Sequence, residues 1–133
     1  MDFVYIPLFI FSYDIWFYIS HHILHFPFMY TRIHKYHHSV YNNMTYYDTY
    51  VGHWLESIIQ SLGLFFPLLW IQLSFDFWCA LLFVNIRGMM RHDSRMVWLI
   101  GNHHILHHQH PMYNFGEYWL DKLCGTLYSN KIL

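Results

Sequence analysis

Apolar residues gather along the chain in three long stretches, separated by polar segments rich in histidine. The first runs from about Phe3 to Ile19 and is interrupted by Pro7, Ser12 and Asp14. The second runs from about Ile58 to Leu73 and the third from about Phe75 to Met90. Ser74 and Asp76 sit where these two meet, and they predict the turn of a helical hairpin. At 1.5 Å per residue each arm is roughly 24 Å long, against about 30 Å for the hydrocarbon core of a bilayer. The pattern predicts an all-α fold, an integral-membrane helical bundle with a cytosolic, histidine-rich helical cap. Its membrane segments are expected over residues 3–19, 58–73 and 75–90, within a single domain covering residues 1–133.

Composition supports insertion. The chain is 56% hydrophobic and 11% charged, where an ordinary soluble domain carries about 25% charge. Aromatics reach 23%, and Trp and Tyr favour the membrane–water boundary. A net charge of −1 leaves no basic footprint for nucleic acid. Cys79 and Cys124 are far apart, which argues against a disulfide framework and against cysteine-based zinc modules. If the first stretch crosses once and the hairpin goes in and returns, Arg32, Lys35, Arg87, Arg91, Arg95, Lys122 and Lys131 fall on or beside one face. That face is then cytosolic, and every histidine cluster lies on it.

Histidine is the outlier, with 13 residues against 7 for Lys and Arg together. The clusters are His21, His22 and His25; His34, His37 and His38; and His103, His104, His107, His108 and His110, with His92 alone after the hairpin. On a helix, positions i, i+3 and i+4 share a face. His34, His37 and His38 are therefore expected to point one way, as are His104, His107 and His108. His21 and His25 form an i, i+4 pair. Neutral imidazole is a good ligand for zinc, copper and iron. A structural zinc site closes with about four ligands. Eight patterned histidines together with His92 exceed that and point to two metals. His22, His53, His103 and His110 have no such pattern, and a supporting contact, a hydrogen bond or simple exposure stays open for each. Asp14, Glu56, Asp93 and Glu117 are candidates for orienting ligand imidazoles through their second ring nitrogen. For Asp14, a place facing water or capping a polar crevice is the alternative.

In this order the motifs resemble those of the fatty acid hydroxylase/sterol desaturase superfamily of membrane di-iron enzymes. That family carries an HxxxH, an HxxHH, a histidine after a helical hairpin and a final HxxHH. Here these are His21 and His25; His34, His37 and His38; His92; and His104, His107 and His108. The segment from Asp14 to His21 resembles the lead into the first motif, and Gly52 to Glu56 resembles the HPLE segment. His92-Asp93-Ser94 is similar to its HSG. Asn114-Phe115-Gly116, Asp121 and Gly125-Thr126 resemble its closing NFG…WD…GT. The match runs from about Tyr13 to Thr126. Departures are His22 where the family usually has Arg, Trp54 where it has Pro, and a start almost at the helix of the first motif, an N-terminally short version.

The resemblance implies nine metal-binding histidines and two iron ions, with zinc able to replace iron in a purified form. It also implies O₂ as oxidant and hydroxylation or desaturation of a sterol or fatty-acyl lipid in lipid biosynthesis. The lipid would enter from the bilayer past aromatic walls such as Phe11, Trp16 and Phe17. Electrons would come from an external donor such as cytochrome b5, because no flavin, haem or nucleotide motif is visible. For a eukaryotic-type protein the endoplasmic reticulum is the expected membrane. No catalytic side chain is singled out beyond the metal ligands. Two other readings are a non-enzymatic membrane metal-binding or transport protein, and an inactive oxygenase remnant. A transport path needs polar residues along the hairpin, and Ile58–Leu73 offers only Gln60, Ser61, Gly63 and Gln72.

Overall fold

The computed structural model describes residues 3–128, and Lys131 of the charge argument lies outside them. Among the described residues every regular element is a helix. Helices α1 (Ile6–Leu24) and α2 (Pro27–Arg32) come first, and a 3₁₀ helix follows over His34–Ser39. A second 3₁₀ helix, Tyr46–Tyr50, leads into α3 (Trp54–Phe65), and a third spans Phe66–Leu69. Then come α4 (Phe75–His92), a 3₁₀ turn at Ser94–Met96, α5 (Val97–Ile100), α6 (His103–Gln109) and α7 (Tyr118–Cys124).

Local chemistry sets these boundaries. Pro7 sits in the first turn of α1, where its missing N–H costs nothing. Phe26 precedes Pro27 and is extended, with ψ 140°, so α1 cannot run on into α2. The second apolar stretch is not one helix. Pro67 offers no backbone donor, and the chain tightens into a 3₁₀ helix and turns at Trp70. The third stretch forms α4, and Asp76 at its start accepts the Tyr5 N–H (2.9 Å), tying the beginnings of α1 and α4 together.

Helices α1, α3 and α4 enclose a small apolar core of Phe9, Leu64, Phe77, Ala80 and Val84. Where α1 meets α3 the backbones come close. A Cβ on Gly63 would lie 2.4 Å from Trp16 Cβ, so only glycine fits there. The Trp16 indole donates to the Ile59 carbonyl (2.7 Å), and the Ser12 hydroxyl donates to the Gly63 carbonyl (2.7 Å). Elsewhere the burial pattern is inverted. Among the described residues, buried polar and charged side chains outnumber buried apolar ones, while Leu69, Trp70, Leu82 and Trp98 are more than half exposed. No helix of the described residues is long and apolar enough to cross a membrane.

Candidate metal centre

The histidines are delivered by four separate pieces of chain. The end of α1 carries His21 and His25, and the first 3₁₀ helix carries His34, His37 and His38. His92 is the last residue of α4, and α6 carries His104, His107 and His108. These nine side chains converge in two adjoining groups. One holds His21, His25, His34, His38 and His107; the other holds His37, His92, His104 and His108. Within each group the potential ligand nitrogens all lie within 4.8 Å of one another.

Sequence spacing had placed each HxxHH on one face. The structure divides both motifs between the groups, in opposite senses. His34 and His38 join the five-histidine group and His37 the other, whereas His104 and His108 join the four-histidine group and His107 the first. Each i, i+4 pair stays together, as do His21 and His25.

The hydrogen bonds fix which ring nitrogen is bare. His21 Nδ1 lies 2.5 Å from the Phe115 carbonyl, His37 Nδ1 2.8 Å from Val51 O and His92 Nδ1 2.8 Å from Gly88 O. His107 Nδ1 lies 2.6 Å from Tyr113 O, and His108 Nδ1 3.0 Å from Val40 O. A carbonyl only accepts, so each Nδ1 carries the proton and each Nε2 presents a lone pair. Yet His92 Nε2 and His37 Nε2 are 3.1 Å apart. His21 and His34 approach through their Nε2 atoms at 3.0 Å, and His25 and His107 at 3.1 Å. The buried His108 Nε2 has no hydrogen-bond partner among the described residues. Two lone pairs facing across 3.1 Å repel unless a cation lies between them. The donor set therefore fits transition-metal ions, one in each group.

The same surroundings disfavour protonation. Burial, reinforced for most of the nine by neighbouring imidazoles, holds every one of these histidines below its ordinary value. His25, His38 and His92 are each lowered to about 3. Neutral imidazole is the form that binds a metal.

One carboxylate touches this set. Glu56 Oε1 lies 3.0 Å from His34 Nδ1, a close polar contact whose N–H alignment falls short of a hydrogen bond. Burial pushes Glu56 up to about 8, and a bound cation nearby would favour its charged form. The other three candidate carboxylates are engaged elsewhere. Asp14 pairs with Arg87, and Glu117 pairs with Arg91 and, at 3.0 Å, with Arg87. Asp93 binds the Arg95 side chain and caps the turn at Ser94–Met96. Asp14 thus finds the partner that an acid in an apolar stretch requires, but that partner is a guanidinium.

The four unpatterned histidines stay outside both groups. His22 packs edge-on against Phe115, and His53 accepts the Leu55 N–H at the start of α3. His103 lies 2.9 Å from Asp121, and His110 stacks on Tyr128.

Asp121 itself was not among the candidate site residues. It is fully buried and accepts the N–H groups of Phe115 and Gly116 and the Thr126 hydroxyl. Asn114 takes a left-handed φ of 60° and donates its side-chain amide to the His103 carbonyl. These contacts hold the loop whose Phe115 carbonyl orients His21. The only sequence signal was the NFG…D…GT spacing, because a carbonyl acceptor leaves no trace in residue type.

A two-part recess reaches the histidines. The inner part, 80 Å³, is bordered by His21, His37, His92 and His104, with Tyr13, Phe17, Gln60, Arg87 and Arg91 among the other walls. The outer part, 140 Å³, opens between α3 and α4 and shares Tyr13, Thr49, Gln60, Val84 and Gly88 with the inner one. Of the three aromatic residues expected at the lipid entrance, Phe17 lines the inner recess. Phe11 stacks on Trp119, and Trp16 packs against Phe66.

The fatty acid hydroxylase family model matches residues 6–126. Curated relatives include the Delta(7)-sterol 5(6)-desaturase of Gibberella zeae, 30% identical over 94% of this chain and 38% of its own length. Another is a Delta(7)-sterol 5(6)-desaturase of Schizosaccharomyces pombe, 29% identical over 85% of this chain and 39% of its own. A third, from Leptosphaeria maculans, is 31% identical over 94% and 37%. The chain thus spans under two fifths of the length of these relatives. No solved structure matches it significantly. From the extent of the family match, the chain belongs to the fatty acid hydroxylase family.

Proposed function

We propose that this chain forms the metal-bearing part of a membrane-bound di-iron oxidoreductase that uses O₂ to hydroxylate or desaturate a lipid of sterol or fatty-acyl type. The observation that carries the proposal is the pair of buried histidine groups, in one of which the bare Nε2 atoms of His37 and His92 face one another at 3.1 Å. His21, His25, His34, His38 and His107 would hold one iron, and His37, His92, His104 and His108 the other. When bound, the irons supply O₂ activation against an unactivated C–H bond. The protein's own part is positional. Backbone carbonyls orient five of the nine imidazole rings, and the Glu56 carboxyl lies against His34. The recess bordered by His37, His92 and His104 gives a lipid carbon its place beside the ligands.

Membrane insertion is supported by the exposed apolar side chains of α4 and the hairpin turn, among them Trp70, Leu73, Phe75, Trp78, Leu82 and Phe83. A soluble monomer rarely leaves so much contiguous apolar surface uncovered. The histidine clusters face the cytosol in this reading, and electrons arrive from a separate donor of the cytochrome b5 type. The relatives named for sterol desaturation favour a sterol over an acyl chain.

The test is product analysis of lipids from cells expressing the chain, beside cells expressing His37→Ala. A hydroxylated or newly unsaturated lipid present only with the unaltered chain supports the proposal. Identical lipid profiles from cells with two irons loaded per chain contradict it.

A further inference from the structure

Four ionisable side chains that belong to neither histidine group form a cluster between α1, α4 and the loop before α7. Arg87 pairs with Asp14, and Arg91 pairs with Glu117. Arg87 Nη1 also lies 3.0 Å from Glu117 Oε1, which joins the two pairs into one network. No member is more than 20% exposed, and two acids face two guanidiniums, so their charges cancel. Such a network resists separation, because removing one partner strands another away from water. Glu117 stands at the N-cap of α7, yet its side chain caps no N–H of that helix and reaches across to α4 instead.

Three of the four stand within two residues of a grouped histidine or of the carbonyl that orients one. Arg87 directly precedes Gly88, whose carbonyl accepts from His92 Nδ1 (2.8 Å), and Arg91 directly precedes His92 itself. Glu117 follows Phe115 by two residues, and the Phe115 carbonyl orients His21 through Nδ1 (2.5 Å). Asp14 lies seven residues before His21, two turns earlier on the same face of α1. His21 belongs to the five-histidine group and His92 to the four-histidine group. The loop carrying Phe115 is also held from other sides. Asp121 accepts the N–H groups of Phe115 and Gly116, and a Cβ on Gly116 would lie 3.0 Å from Tyr18 Cβ, so the loop packs against α1. Glu117 ties this same loop to α4.

We propose that Glu117 is a positioning residue shared by both histidine groups, holding through Arg87 and Arg91 the loop that orients His21 against the turn of α4 that orients His92. This rests on the two-metal reading of the site and adds a residue that sets both ions together, although it belongs to neither set of potential ligands. Glu56, by contrast, meets His34, a member of the five-histidine group.

Cobalt(II) titration of the metal-free full chain in detergent tests it, with affinities read by chelator competition and ligand geometry by the visible d–d spectrum. His107→Ala and His104→Ala assign the two binding steps to the five- and four-histidine groups. Glu117→Gln keeps the size of the side chain and removes its charge. It should weaken both steps by about 10-fold or more, as loss of a supporting partner does, and alter both spectra. Glu56→Gln should weaken the five-histidine step and spare the other. Arg91→Ala leaves Glu117 its contact with Arg87 and is the milder variant; it should weaken both steps in the same direction, and Arg91→Lys should restore them. Circular dichroism checks that each variant is folded. Folded Glu117→Gln and Arg91→Ala chains with lower thermal midpoints but unchanged affinities and spectra would show a purely structural ion pair and overturn the proposal, as would weakening of one step alone. An unaltered chain that binds fewer than two cobalt ions would contradict the metal centre itself, and this proposal with it.

Discussion

At the residue scale, the centre depends on the side of each imidazole that carries no proton. His21, His37, His92, His107 and His108 each spend Nδ1–H on a main-chain carbonyl, so their tautomer is fixed before any metal arrives. Supporting partners of metal-bound histidines typically contribute 10- to 100-fold in affinity. Glu56→Gln is accordingly expected to weaken metal binding by about that factor while leaving the helices intact, as measured by chelator competition and circular dichroism. Unchanged affinity would show that the 3.0 Å contact with His34 has no supporting role. Asp121→Asn turns into a donor one of two buried carboxylate oxygens that together serve two backbone N–H groups and one hydroxyl. It should lower stability by about 1–3 kcal/mol, read as a fall in thermal midpoint. The nine converging histidines were legible in the sequence because their identity and spacing are themselves the signal. Their supporting carbonyls were not, because Val40, Val51, Gly88, Tyr113 and Phe115 contribute main-chain oxygens that every residue has. Asp14 and Glu117 were visible as acids, but their guanidinium partners lie 73 and 30 residues away from Asp14 and Glu117 in sequence for Arg87.

At the scale of elements, α1 is the axis of the molecule. It carries His21, ends at His25, packs against α3 through Gly63, and reaches α4 through Asp14 and Arg87. Gly63→Val should drive a side chain into Trp16 and cost about 1–3 kcal/mol, although no ligand is touched. Arg87→Ala should cost more, about 3–5 kcal/mol, because it strips Asp14 of its buried partner. Thermal unfolding of both variants checks that order, and a larger loss at Gly63 would contradict it. The helical hairpin was readable from Ser74 and Asp76, and α4 begins at Phe75 as the apolar run suggests. The break at Pro67 was equally written in the sequence, but hydrophobicity alone ran through it. What spacing could not reveal was the division of each HxxHH between two groups. That depends on which elements meet each motif: His37 is grouped with His92 of α4, and His107 with His21 and His25 from the end of α1.

For the whole molecule, acid is the natural antagonist. His25, His38 and His92 sit at about 3 in the folded chain, against an ordinary value of 6.5. Between those limits the unfolded chain binds protons that the folded one refuses, so stability falls as pH drops from 6.5 toward 3. Each such group contributes a slope of about 1.4 kcal/mol per pH unit. In the metal-free chain Glu56 acts in the opposite direction. Its folded value of about 8 lies above the ordinary 4.5, so stability declines as pH rises between the two. Metal retention and thermal midpoint followed from pH 8 to pH 4 should both fall below about pH 6, and flat profiles would contradict this balance. The most direct test of the central claim is the number of metal ions held by the purified chain, and how single substitutions change it. Two irons per chain are expected, with His107→Ala weakening the five-histidine ion first and His104→Ala the four-histidine ion first. One ion or none in the unaltered chain, or two ions retained at full affinity in both variants, would contradict the account.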